Sequence, residues 1–152
     1  MAQIGATAET YVYSDPNACI YKLGMFAERL VQEILVFEHI AEPAVDNTHA
    51  NRIRILKRAG LLPHEIDNTL YVLRKTRNSA VHIGTDSVDE AKTLLSLTYN
   101  LAVWFMETYG DWGYIAPEFV MPSETTHEDL ESVIAEQERK IEELTKHLAV
   151  VK

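Results

Sequence analysis

The chain of 152 residues has one cysteine, Cys19, so no internal disulfide can form and no thiol cage for a metal can be assembled within it. Cys19 therefore reads as a small buried apolar residue. The six glycines are scattered, and the absence of any Gly-x-x-x-x-Gly-Lys run excludes a phosphate-loop ATP motor from this stretch. No apolar run reaches the roughly 18–20 residues that span a bilayer. The opening Met-Ala-Gln-Ile-Gly-Ala also lacks the basic start and apolar centre of a secretory signal, so a cytoplasmic location without a membrane partner is expected. Alternating strand patterns of useful length and internal repeats are missing as well.

What is present is acidic charge, unevenly placed. The formal net charge of −9 argues against indiscriminate binding to polyanions. From Pro43 to His82, however, seven basic residues face three acidic ones, and half of the 14 basic groups lie there. Ser123 to Lys152 carries eight acids and four bases. A polyanion is therefore expected to approach through Arg52, Arg54, Lys57, Arg58, Arg74 and Lys75.

Helical period organises the rest. Asp15 before Pro16 reads as a cap and first turn, followed by Ile20, Leu23, Ala27, Leu30, Val31, Ile34 and Phe37 at helical spacing up to Pro43. Asn47 is expected to cap a second, short helix with Ile53 and Leu56 inward, Arg52, Arg54, Lys57 and Arg58 outward, and Gly60 at its end. Leu62-Pro63 opens a third helix with Ile66, Leu70 and Leu73 on one stripe, and four residues further lies Arg77. Ser87-Val88-Asp89-Glu90 is a capping box for a fourth helix that reaches Gly110. Residues 111–124 read as an ordered strap whose Trp112, Tyr114 and Phe119 pack rather than stack on bases.

Beyond them Leu130, Ile134, Gln137, Ile141, Leu144, Leu148 and Val151 alternate four and three apart, the spacing of a short coiled-coil seam or a linker helix. The expectation is an all-α, up-and-down bundle of about four helices over residues 1–122, with an N-terminal strap over 1–14 and an acidic tail helix over 123–152.

Few residues have the chemistry of a site. His64, Glu65 and Asp67 share a turn, but no second histidine follows at the spacing of a helical zinc site, so no metal site is expected and acids at a helix start suffice. Cys19 and His39 sit at opposite ends of one helix and cannot pair as nucleophile and base. The densest constellation runs from Leu73 to His82 and holds Arg74, Lys75, Arg77, Asn78 and His82. Arg77 offers a forked donor for a phosphate or a pentacovalent transition state, and His82 a group titrating near neutrality; such a pair suits metal-free RNA cleavage. In the structural alternative, Asn78 and His82, one turn apart, satisfy each other or nearby backbone. On a regular helix Arg77 and His82 are about 140° apart, so a bend or a second chain is needed to join them.

Arg77-Asn78-x-x-x-His82 resembles the Arg-(Asn/Asp/His)-x-x-x-His signature of the HEPN superfamily, several of whose members are dimeric, metal-independent endoribonucleases. Asp15-Pro16-Asn17-Ala18 through Lys22-Leu23-Gly24-Met25-Phe26-Ala27-Glu28 looks like the opening of type I restriction enzyme R subunits, and Leu73 to His82 and Leu101-Ala102-Val103-Trp104-Phe105 are similar to the same amino-terminal domain in order. That family often carries glycine where this chain has Arg77, and arginine where it has Gly24. The resemblance covers roughly Tyr11 to Gly110.

It implies an accessory or assembly domain of a DNA translocase and endonuclease. ATP and magnesium would then act only in other domains, with no cofactor here, and methyltransferase and specificity subunits would be partners. Two alternatives stand beside it: a dimeric ribonuclease using Arg77, Asn78 and His82, and a dimerisation module driven by the tail.

Overall fold

The computed structural model describes the backbone of residues 2–83, 87–110, 113–123 and 127–150, and side chains within 4–78, 87–110, 113–123 and 132–147. The fold is all-α, with no strand among the described residues. The chain divides into two compact units, Met1–Pro122 and Ser123–Lys152.

The first unit holds α1 (Ala2–Tyr11), α2 (Pro16–Phe37), α3 (His49–Arg58), α4 (His64–Ile83) and α5 (Val88–Tyr109). Its axis is α2, which touches each of the other four. The reason is compositional: apolar side chains on α2 spread beyond one stripe, and Cys19, Ile20, Leu23, Ala27, Leu30, Val31, Ile34 and Leu35 are all buried. A helix apolar over so wide an arc must be covered on several sides. Asp15 starts it, accepting the amide of Ala18 at 3.1 Å beside Pro16. Phe37, expected inward, is instead half-exposed beside the rings of Phe105 and Tyr109.

The other helices supply matching stripes: Ile53 and Leu56 from α3, Ile66, Leu70 and Leu73 from α4, and Leu94, Leu95, Leu101 and Phe105 from α5. Ser87 caps α5, its hydroxyl accepting the Glu90 amide at 3.1 Å. Two details depart from expectation. Thr48, not Asn47, caps α3, accepting from the Asn51 amide at 3.2 Å while donating to Asp46 at 2.8 Å. The 1–14 segment, read as a strap, is helical over Ala2–Tyr11, and Ala8 and Val12 are buried. Ile4, Ala8 and Val12 turn toward the core at four-residue steps, Ile4 only partly buried, and packing on α2 holds the segment.

Between α3 and α4, Gly60 adopts φ +73, its amide reaching the Lys57 carbonyl and the Leu61 amide reaching that of Leu56, both at 3.1 Å. This paired closure ends α3 and lays α4 against it, which creates the cleft described below. Residues 113–122 cross the bundle surface, held by the Tyr99 hydroxyl on the Pro117 carbonyl, the Tyr13 hydroxyl on that of Pro122 at 2.6 Å, and Phe119 against Tyr99. Tyr114 and Phe119 line a cavity there, whereas Trp112 lies outside the described residues.

The second unit is α6 (His127–Val150), along which Ile134, Ile141 and Leu144 are exposed. Leu130, Leu148 and Val151 of the seam lie outside the described side chains. Among the described residues no helix is long and apolar enough to cross a membrane.

Candidate basic cleft between the third and fourth helices

Arg77 occupies the next turn of the inward stripe of α4, so its side chain lies against α2 and is only partly exposed. It lies over Gly24, where an added Cβ would stand 2.9 Å from Arg77 Cβ and Cγ. Its guanidinium passes 5.3 Å from the Tyr21 ring centroid and Nη1 donates to Glu28 Oε2 at 2.8 Å. That hydrogen bond is the main reason the Glu28 carboxyl is held below the usual carboxylate range, against burial acting the other way.

Arg52 extends the network: Nε donates to Glu42 at 2.8 Å, and Nη1 is 3.9 Å from the other oxygen of Glu28. The outward position expected for Arg52 is therefore corrected, because its side chain is 9% exposed and neutralised. A buried cation without carboxylates would carry a large desolvation cost.

His49 belongs to the same network and carried no signal in the sequence. Both ring nitrogens are shielded from solvent and have no hydrogen-bond partner among the described residues. Burial pushes the imidazole down to about 4; Glu28 opposes this, while Arg77, Arg74 and Arg52 add to it. A neutral ring amid fixed charges results.

Outside this network, α3 and α4 form an open cleft of about 430 Å³ lined by Ala50, Ile53, Arg54, Lys57, Asp67, Asn68, Tyr71 and Arg74. Lys57 is paired across it with Asp67 at 3.0 Å. Arg54 Nη1 donates to the Asn51 amide oxygen at 3.1 Å. Arg74 and Lys75 each approach the Tyr71 ring centroid to 5.7 Å.

Of the seven cations in this region, Arg52, Lys57 and Arg77 are paired with carboxylates. Arg54, Arg58, Arg74 and Lys75 have no ion pair among the described residues, and two of them, Arg54 and Arg74, line the cleft and give it its positive character. Asn78 is exposed on α4. The backbone of His82 is helical, but its side chain lies outside the described residues, as does that of every residue from 79 to 86.

Cys19 is buried, and burial raises its thiol to about 11. His64 and Asn68 contact one another at 3.2 Å at the start of α4. Among the described residues no group of three or more His, Cys, Asp and Glu side chains could hold a metal ion.

Comparison with known families matches residues 6–147 to the family described as Domain of unknown function (DUF4145). The chain belongs to the DUF4145 family. The match runs through the bundle and into α6. A curated relative, the Type I restriction enzyme EcoKI endonuclease subunit of Escherichia coli (strain K12), is 29% identical over 120 residues. Those residues are 78% of this chain but 10% of that protein, so the chain spans about a tenth of the relative's length. No solved structure matches.

In this DUF4145 member the two positions noted as departures, Gly24 and Arg77, turn out to be in contact. A long side chain at 77 requires the absence of one at 24, and the guanidinium reaches Glu28 from α4.

Proposed function

We propose that this chain is a helical recognition and assembly domain of a type I restriction motor and endonuclease subunit, or of a related helicase-like defence protein. It contacts nucleic acid through the cleft between α3 and α4 while the ATP- and magnesium-dependent chemistry resides in other domains. The similarity to the endonuclease subunit supports the first part of this reading. The observation that carries the second is that Arg54 and Arg74, which line that cleft, stand without carboxylate partners among the described residues of a chain whose net charge is −9. Local positive charge in an acidic protein directs a polyanion to one place. Contacts of this kind position a duplex or strand without reading its sequence.

The direct test is co-purification with type I methyltransferase and specificity subunits expressed together with this chain, combined with DNA binding measured at two salt concentrations. Binding that weakens with salt and is reduced by Arg54→Gln/Arg74→Gln is expected. A chain that binds neither those subunits nor any nucleic acid at low salt sinks the proposal.

A metal-independent ribonuclease of the HEPN type is the competing reading. Arg77, partly exposed with a fork already oriented by Glu28, is the observation in its favour. It demands RNA cleavage in chelator with 2′,3′-cyclic phosphate ends, abolished by His82→Ala at unchanged stability. The assembly reading expects RNA to remain intact in that assay.

A further inference from the structure

Charge is not the only property of the cleft between α3 and α4. Tyr71 is 50% exposed there, although its helix neighbours Leu70 and Leu73 are buried. One residue along a helix turns a side chain by about 100°, so Tyr71 points away from the core stripe by construction. A ring left half in water forgoes part of the stabilisation that burial would give it. It is also the only aromatic among the described lining residues, and the cations of Arg74 and Lys75 lie near it, each 5.7 Å from the ring centroid.

Arg54 reaches the cleft from α3 and Arg74 from α4, so two cations without an ion pair among the described residues share the cleft with the ring from different helices. Lys57 and Asp67, bridged at 3.0 Å, tie those helices together.

The geometry points to a subsite for single-stranded nucleic acid, in which one unpaired base stacks on Tyr71 while the adjoining phosphates are met by Arg54 and Arg74. This rests on the nucleic-acid contact proposed above and specifies its substrate. A cleft of about 430 Å³ is of the size that holds a small ligand, here one nucleotide. A duplex keeps its bases stacked on one another and presents only phosphates and groove edges, so it would leave the ring unused. An unpaired base has a free face, and any base serves because each is aromatic. Guanidinium groups suit the flanking positions, since they can pair with phosphate oxygens and lie on aromatic surfaces.

The experiment measures binding of the full chain by fluorescence anisotropy to three probes: a twelve-nucleotide oligothymidylate, the same backbone without bases, and a twelve-base-pair duplex. Tyr71→Leu is expected to weaken oligothymidylate binding about 5- to 150-fold, with little effect on the base-free backbone. Tyr71→Phe retains the ring and should bind as wild type. Arg54→Gln/Arg74→Gln should weaken binding of every probe and reduce the salt slope for the strand by about 1.4. Thermal melts verify that each variant is folded, which the exposure of these side chains favours.

If Tyr71→Leu binds oligothymidylate as wild type does, or if the duplex binds as tightly as the strand, the stacking subsite is overturned. In that event loss of binding in the double arginine variant would still uphold the wider nucleic-acid contact. Failure of the wild type to bind any of the three probes overturns both.

Discussion

Gly24→Ala should destabilise the protein, although alanine is the better helix former. Within α2 the substitution by itself favours the helix by about 1 kcal/mol. The new methyl group would meet Arg77 Cδ first and stand 2.9 Å from its Cβ and Cγ; Cδ and Cγ can rotate away, but Cβ is fixed by the backbone and cannot swing aside. Overpacking of this kind costs about 1–3 kcal/mol. Displacing Arg77 also loosens its 2.8 Å bond to Glu28, which contributes at most about 1 kcal/mol because both groups are partly exposed. The net expectation is a loss of about 1–2 kcal/mol, or a fall in Tm of roughly 2–8 °C for a chain of this size.

The discriminating measurement is the same substitution in an Arg77→Gly background. There the obstructing atoms are gone, and Gly24→Ala should stabilise by up to about 1 kcal/mol. The sign therefore reverses, and the coupling between the two positions is about 2–3 kcal/mol, within the range of residues in direct contact. Urea denaturation of the four proteins, followed by circular dichroism, gives all the terms. Equal effects of Gly24→Ala in both backgrounds would refute the argument that Arg77 occupies the space above residue 24.

Acid should weaken the fold through His49. Its folded value of about 4 lies below the ordinary 6.5, so the unfolded chain takes up a proton first as pH falls. The associated stability, on the order of 2 kcal/mol, is full above about pH 6.5 and lost towards pH 4. Because Glu28, Arg52, Arg74 and Arg77 all act on the ring, the comparison to make is wild type against His49→Leu: Tm at pH 7 and pH 5 should differ less in the variant. An equal drop in both would assign the acid sensitivity elsewhere.

Cys19, buried and raised to about 11, should react with a thiol reagent only after denaturant is added. Rapid labelling of the native protein would contradict its burial. Pairing of chains through the 123–152 seam predicts that the full chain sediments as a dimer and residues 1–122 as a monomer; a dimeric truncation would move the interface to the bundle.

Much of the scaffold was legible because its signals are local. The Asp15-Pro16 and Ser87 starts, the Gly60 stop and the apolar stripes of α2, α3, α4 and α5 each depend on residues within a turn or two of one another. α1 was not, since Gly5, Ala6 and Ala8 give too little apolar contrast, and its helix is held by packing on α2. The choice of Thr48 over Asn47 as cap was equally hidden, because both side chains can accept an amide.

For the site, composition singled out the basic segment but could not sort it. Arg52 and Arg54 are two residues apart on α3, roughly 200° around the helix, and one is buried between Glu28 and Glu42 while the other faces the cleft. Tyr71 and His49 went unnoticed for the same reason: neither has a neighbour in the sequence that reveals what stands across from it.

The amino-acid order alone determined that the chain is helical, where most helices start and stop, and that its positive charge gathers between residues 43 and 82. Tertiary structure alone decided which cations are neutralised, since the carboxylates concerned come from α2, the segment after it, and α4. Periodicity is written into neighbouring residues, whereas charge compensation arises only when distant helices meet.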